Sequence, residues 1–92
     1  MQRYEVHHDP VAHRFTTVVD GLEAEVTYHY DGDLLVINHT GVPRLIEGRG
    51  IASELVRAAF EFARGAGLRV RPACSYAALW VQRHKQYGDL LA

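Results

Sequence analysis

The amino-acid sequence predicts an α+β domain of mixed α/β character, with the element order ββββαβα. Three observations carry this reading. Short segments of two-residue alternation, divided by Asp-Gly pairs, fill the first half. The period changes to that of an amphipathic helix at Ile51. A short strand and a second helical stretch close the chain. This order gives an antiparallel meander joined to one parallel βαβ unit, with the helices packed on the sheet.

The first predicted strand is "RYEVHH", Arg3 to His8, leading to a turn at Asp9-Pro10. The second is "RFTTVV", Arg14 to Val19, which ends at Asp20-Gly21. The third, "EAEVTYHY", places Ala24, Val26, Tyr28 and Tyr30 on one face and Glu23, Glu25, Thr27 and His29 on the other. It ends at Asp31-Gly32, and "LLVINHT", Leu34 to Thr40, follows. Asp-Gly suits tight hairpin turns because both residues tolerate positive φ. Ile51, Leu55, Ala59, Phe62, Ala63 and Ala66 then form a helical stripe. Glu54, Arg57, Glu61 and Arg64 lie opposite, spaced to pair with one another on a solvent face. Gly65 and Gly67 supply a stop. "LRVRP", Leu68 to Pro72, reads as a strand, and "SYAALWVQRH", Ser75 to His84, as a helix.

The 92 residues suit a single domain spanning positions 1–92. A net charge of −1 supplies no basic stripe for nucleic acid. No apolar run approaches a bilayer span. "MQRYEVHHDP" lacks the apolar core of a signal peptide, so a soluble cytoplasmic protein, monomeric or weakly dimeric, is expected. One cysteine, Cys74, allows no internal disulfide. His7, His8 and His13 are close in sequence. Neighbours on a strand face opposite ways, and no second Cys or His-Glu-x-x-His helix accompanies them, so no metal site is expected. Trp80 reads as core or cofactor-side packing, since no basic stripe surrounds it.

The entrance to the long helix, "EGRGIA", carries the functional signal. Backbone N–H groups at a helix N-terminus lack intrahelical partners and bear partial positive charge. Glycines there let an anion approach the main chain, and a phosphate or pyrophosphate is the natural guest. Gly48, Arg49, Gly50, Ile51 and Ala52 are the candidate cradle, with the Arg49 side chain as an added cation. The plainer alternative is a glycine turn into a helix. No Gly-Lys-Ser/Thr follows, and Ser53 stands where a dinucleotide fingerprint needs its third glycine.

The run "HTGVPRLIEGRGIASELVRAAFEFARGAGLRVRPACSYAALWVQRHKQYGDLL" resembles the small, minimal branch of the GCN5-related N-acetyltransferase superfamily. In that superfamily an Arg/Gln-x-x-Gly-x-Gly/Ala loop between strand and helix binds the pyrophosphate of acetyl-CoA. Here Gly50 and Ala52 match, and Glu47 stands where the pattern has Arg or Gln. The small branch also carries a Cys after the next strand and a C-terminal His-x-x-Tyr, matched by Cys74 and by His84 to Tyr87. The resemblance implies acetyl-CoA as cofactor, an amine as acceptor, and a pyrophosphate loop over Glu47 to Ser53. It also implies that the main chain around Thr40 and Val42 holds the pantetheine arm. Relative to larger members, the two helices between the first two strands and the terminal strands are expected to be missing. Those parts often shape the acceptor site.

Acetyl transfer to an amine needs a polarised thioester carbonyl, a neutral amine and a leaving thiolate. His39, at a strand end, is the candidate base; otherwise it is a structural residue. Cys74 is either a small buried apolar residue or a thiol beside the acetyl group. The superfamily's usual acidic tyrosine position on the last helix falls on Gln82, with Tyr76 and Tyr87 off that spacing. The leading reading is an acetyl-CoA-dependent N-acetyltransferase. The alternatives are a non-catalytic CoA-binding protein and an interaction domain pairing through a sheet edge.

Overall fold

The structure, a computed structural model, describes residues 4–92. Five strands, β1 (His7–Asp9), β2 (Arg14–Val19), β3 (Leu22–Asp31), β4 (Leu34–Gly41) and β5 (Arg69–Pro72), form one sheet in sequence order. The first four are antiparallel, and β5 runs parallel to β4. Helix α1 (Ile51–Ala66) makes the crossover between β4 and β5, and α2 (Ser75–Arg83) follows β5. Two 3₁₀ segments, Arg44–Ile46 and Lys85–Leu90, were not anticipated.

The meander follows its turn chemistry. Asp20 and Gly21 both have positive φ, 53° and 76°, which matches the twist of the flanking strands. Asp9 Oδ1 accepts from the backbone N–H of Val11 and Ala12 at 3.1 and 3.0 Å, holding the first turn. The first strand is shorter than expected. Arg3 lies outside the described residues, and 4–6 are not in the ladder. There the Thr17 hydroxyl donates to the Glu5 carbonyl at 2.7 Å, and Tyr4 reaches across to the Arg49 carbonyl at 2.7 Å.

Inward residues of the sheet and both helices share one buried cluster, with Phe60, Leu35, Ile37, Leu55 and Val70 at its centre. Ala24, Val26 and Tyr28 point inward as expected. Tyr30, beyond the end of the core, is 42 % exposed. Phe60 is the deeply buried aromatic of α1, while Phe62 packs at the margin against His8 and Phe15. Gly65 remains helical. Gly67 ends α1 in the left-handed conformation, with its N–H donating to the last carbonyls.

The polar face of α1 is only partly a solvent face. Glu54 pairs with Arg57, whereas Glu61 and Arg64 turn to the C-terminal segment. Tyr87 donates to Glu61 at 2.5 Å and accepts from Arg57 at 3.3 Å, and Arg64 pairs with Asp89 at 3.0 Å. Leu91 then bridges to Val70 at the free side of β5.

Candidate cofactor site

The site begins with an irregularity in β4. Tyr28 faces Ile37 in the β3–β4 register, but Thr27 faces His39, so Asn38 is an extra residue. This bulge is pinned by side chains. Asn38 Oδ1 accepts from the Thr27 hydroxyl at 2.5 Å, and Asn38 Nδ2 donates to His29 Nδ1 at 2.9 Å. Leu35, Val36 and Ile37 are buried; Asn38 and His39 are exposed.

At the same level β5 leaves the sheet. Its pairing with β4 covers Leu34 to Ile37 and stops at Pro72, which has no N–H to extend the ladder. The Ile37 carbonyl accepts from both Ala73 and Cys74 N–H, at 2.9 and 3.1 Å, as the chain turns into α2. Beyond Ile37, β4 keeps β3 on one side and has no partner strand on the other. Thr40 and Cys74 face each other across this gap, with Oγ1 and Sγ 3.3 Å apart. Cys74 is also the N-cap of α2, its sulfur accepting from Ala77 N–H at 3.5 Å.

Ile46, fully buried, anchors the loop between β4 and α1. Gly48 and Gly50 follow with φ of 80° and 78°, a conformation that other residues adopt only with strain. Gly50 caps α1 without a side-chain hydrogen bond to the first turn. A Cβ on either glycine would project into open space. This loop, the end of β4 and the start of both helices enclose a cavity of about 510 Å³. It is lined by Thr40, Gly41, Val42, Ile46, Glu47, Gly48, Gly50, Ile51, Ala52 and Tyr76.

Seven of the expected binding residues therefore meet around one cavity: Thr40, Val42, Glu47, Gly48, Gly50, Ile51 and Ala52. Arg49 and Ser53 do not line it. The Arg49 guanidinium pairs with Asp20 at 2.8 Å, and the Ser53 hydroxyl accepts from the Trp80 indole at 2.8 Å. Without Arg49, the positive field at the loop comes from the uncapped N–H groups of α1. Cys74 adjoins the cavity through Thr40. His39 is on the other side of the strand end, 59 % exposed, with Nε2 3.9 Å from Glu25 Oε2. A Cβ on Gly41 would lie 2.8 Å from that nitrogen, so glycine there gives the imidazole its place. A second, open cleft lined by Arg14, Glu23, Glu25 and Pro43 shares Gly41 and Val42 with the cavity.

Gly41, Ile46 and Tyr76 are the lining residues that sequence reasoning passed over, and Tyr76 is the ionisable one among them. Partial burial pushes its phenol above the ordinary range, opposed by Ser53 and Arg83. Its signal was its place in the first turn of a helix that starts where a parallel strand ends. The described residues include no cluster of three His, Cys, Asp or Glu side chains suited to a metal ion. They also include no helix long and apolar enough to cross a membrane.

Comparison with known proteins agrees with this fold. Residues 14–90 match the profile of the GCN5-related N-acetyl-transferases. The protein NATD1 of Gallus gallus is 34 % identical over 83 residues, covering 87 % of this chain and 76 % of its own. NATD1 of Bos taurus is 35 % identical over 82 residues, covering 86 % and 73 %. A GCN5-like protein from Staphylococcus aureus, solved in solution by NMR, superposes with a TM-score of 0.76 at 29 % identity, over 100 % of this chain and 91 % of that one. With the profile spanning most of the chain and the strand, loop and helix in matching order, the protein belongs to the GCN5-related N-acetyl-transferase family.

Proposed function

We propose that the protein transfers an acetyl group from acetyl-CoA to an amine of a small molecule or a protein. The observation that carries this reading is the single cavity joining the left-handed Gly48–Gly50 loop to the unpartnered end of β4. The residues present fit the cofactor. Two glycines leave room at an uncapped helix N-terminus, which suits a pyrophosphate. The free edge of β4 from Asn38 to Gly41 offers main-chain groups that suit an extended amide-bearing arm. When bound, acetyl-CoA supplies an activated acyl thioester.

The chain's own residues divide the remaining work. Gly48, Gly50, Ile51 and Ala52 bind through the backbone, and Thr40 and Val42 orient the arm in the gap between strands. Cys74 is the candidate nucleophile or lining thiol, since it reaches the cavity through Thr40 and its sulfur already accepts from a helix N-terminal N–H. His39 lies beside Glu25, a wall of the second cleft, and is the candidate to take the proton of an entering ammonium before attack.

A CoA-binding protein without turnover is the second reading. It is favoured by the scarcity of acid–base side chains in the main cavity, whose lining holds only Glu47 and Tyr76 of that kind.

Calorimetric titration with acetyl-CoA, with Gly50→Glu alongside, tests the reading. Binding by the wild type and its loss in a folded Gly50→Glu protein are expected. Release of free CoA thiol across a panel of amines then separates transferase from binding protein. A folded wild type that binds no acetyl-CoA overturns both readings.

A further inference from the structure

The loop before α1 is held at its middle residue. Gly48 and Gly50 flank Arg49 in the left-handed conformation, with φ of 80° and 78°. Glycine has the widest backbone freedom of any residue, so ordering two of them carries a large conformational-entropy cost. Packing does not fix them, since a Cβ on either would meet nothing within 4 Å. Nor does a ladder. Among the described residues, the main chain of Gly48 and Arg49 makes no backbone–backbone hydrogen bond.

Two contacts from outside the loop take that place. The Arg49 carbonyl accepts from the Tyr4 hydroxyl at 2.7 Å, across 45 positions of chain. Arg49 Nη1 donates to Asp20 Oδ2 at 2.8 Å, across 29 positions. Main chain and side chain of one residue are thus held by separate elements. Both come from one end of the sheet. His7 pairs with Thr16, and the Thr17 hydroxyl holds the Glu5 carbonyl, so the chain before β1 runs alongside β2 toward the β2–β3 turn. Asp20 sits in that turn, at a φ of 53°.

Global stability does not account for the arrangement. The Arg49 and Asp20 side chains are 39 % and 63 % exposed, and a pair so exposed adds little to folding. Left-handed turn positions take Gly or Asn as well as Asp. The carboxylate also sets negative charge beside a loop read as the seat of an anion. Such a charge is useful where it fixes Arg49 and, through Arg49, the glycines on either side.

We propose that Tyr4 and Asp20 are positioning residues that hold Arg49 as an anchor, so that the Gly48–Gly50 loop is formed before acetyl-CoA arrives. This rests on the reading of that loop as the pyrophosphate seat. Neither Tyr4 nor Asp20 lines the cavity, and both act through Arg49. Each removes part of the ordering that binding would otherwise have to supply, and that saving is expressed as affinity. Arg49 is then a strut of the loop and not a cation for the phosphates.

The test is calorimetry with CoA on the wild type, Tyr4→Phe, Asp20→Gly, Arg49→Ala and the Asp20→Gly/Arg49→Ala double variant. Tyr4→Phe keeps the ring at the margin of the core, and Asp20→Gly suits the turn. Each is expected to weaken binding by about threefold, the scale of one exposed polar contact, with melting temperatures nearly unchanged. The double variant should bind as Arg49→Ala does, because the pair acts as a unit. In ligand-free Tyr4→Phe and Asp20→Gly, the amide order parameters of Gly48, Arg49 and Gly50 should fall from about 0.85 toward about 0.6. Tighter binding by Asp20→Gly would mean that a released Arg49 takes up phosphate, and overturns the anchor. Unchanged affinity in Tyr4→Phe or in Asp20→Gly, or a loop as rigid in both as in the wild type, overturns the assignment while leaving the pyrophosphate site standing. A folded wild type that binds no CoA overturns the larger reading and this one together.

Discussion

Thr40 Oγ1 and Cys74 Sγ lie 3.3 Å apart, joining the end of β4 to the start of α2 after β4 and β5 have separated. The hydroxyl can donate to a sulfur that develops negative charge, so the pair links a cavity wall to the thiol proposed as nucleophile. Thr40→Val keeps the shape and removes the donor. Alkylation of Cys74 by iodoacetamide should slow by about five- to tenfold, the scale of a hydrogen bond to a charged group. An unchanged alkylation rate would detach Thr40 from the chemistry of the thiol.

Two glycines of the same segment should respond in opposite directions to alanine. Gly50 has a φ of 78° and no neighbour within 4 Å of a built Cβ, so Gly50→Ala costs backbone strain alone, about 1–2 kcal/mol. Gly65 lies inside α1 with equally open space, so Gly65→Ala should stabilise by about 0.5–1 kcal/mol. Urea midpoints read both changes.

His8 stacks on Phe15 at 4.1 Å, meets Phe62 edge-on and shares a 2.5 Å hydrogen bond with Tyr28. Burial lowers its pKa from 6.5, against the raising effect of Asp9 and with a further lowering from His13. The unfolded chain therefore binds more protons than the folded one between the lowered value and 6.5. Stability rises with pH through that window and is lost as pH falls through it. His8→Gln should flatten this slope in melting temperatures taken from pH 5 to 7. A slope unaltered by the substitution would assign it elsewhere.

Tyr87 joins α1 to the C-terminal segment through Glu61 and Arg57, and burial together with the Glu61 hydrogen bond raises its pKa. Tyr87→Phe keeps the ring against Phe60 and Trp80 and removes the hydroxyl. A loss of about 1–2 kcal/mol is expected from chemical denaturation. The matching Glu61→Gln variant should lose less, because its amide still accepts from the phenol.

Much of this architecture was legible because it depends on local chemistry. The Asp20-Gly21 turn, the alternation of Ala24, Val26 and Tyr28, and the change of period at Ile51 each act within a few residues, whereas at the next hairpin Asp31 still pairs with Leu34 and Gly32 and Asp33 make the turn. The loop at Glu47 to Ala52 was legible for the same reason. The bulge at Asn38 was not, since "LLVINHT" is continuously apolar up to that point and its pin consists of Thr27 and His29 from another strand. Arg49 read as a ligand cation until Asp20, 29 positions away, entered the picture. Glu61 and Arg64 fitted a helical charge ladder, yet partners with equal claim arrive from a distant segment. Pairings set by tertiary approach leave no periodic mark in the chain.

The bulge also divides β4 into two territories with different structural duties. Residues 34–37 fill the interior, so few alternatives there preserve the fold, whereas residues 38–41 carry little packing. The distal half can therefore be varied at little cost in core packing, and what it does for ligand capture is separable from what it does for folding. A saturation library across 34–41, sorted separately for folding and for ligand capture, would show folding sensitivity ending at Ile37 and ligand sensitivity beginning after it.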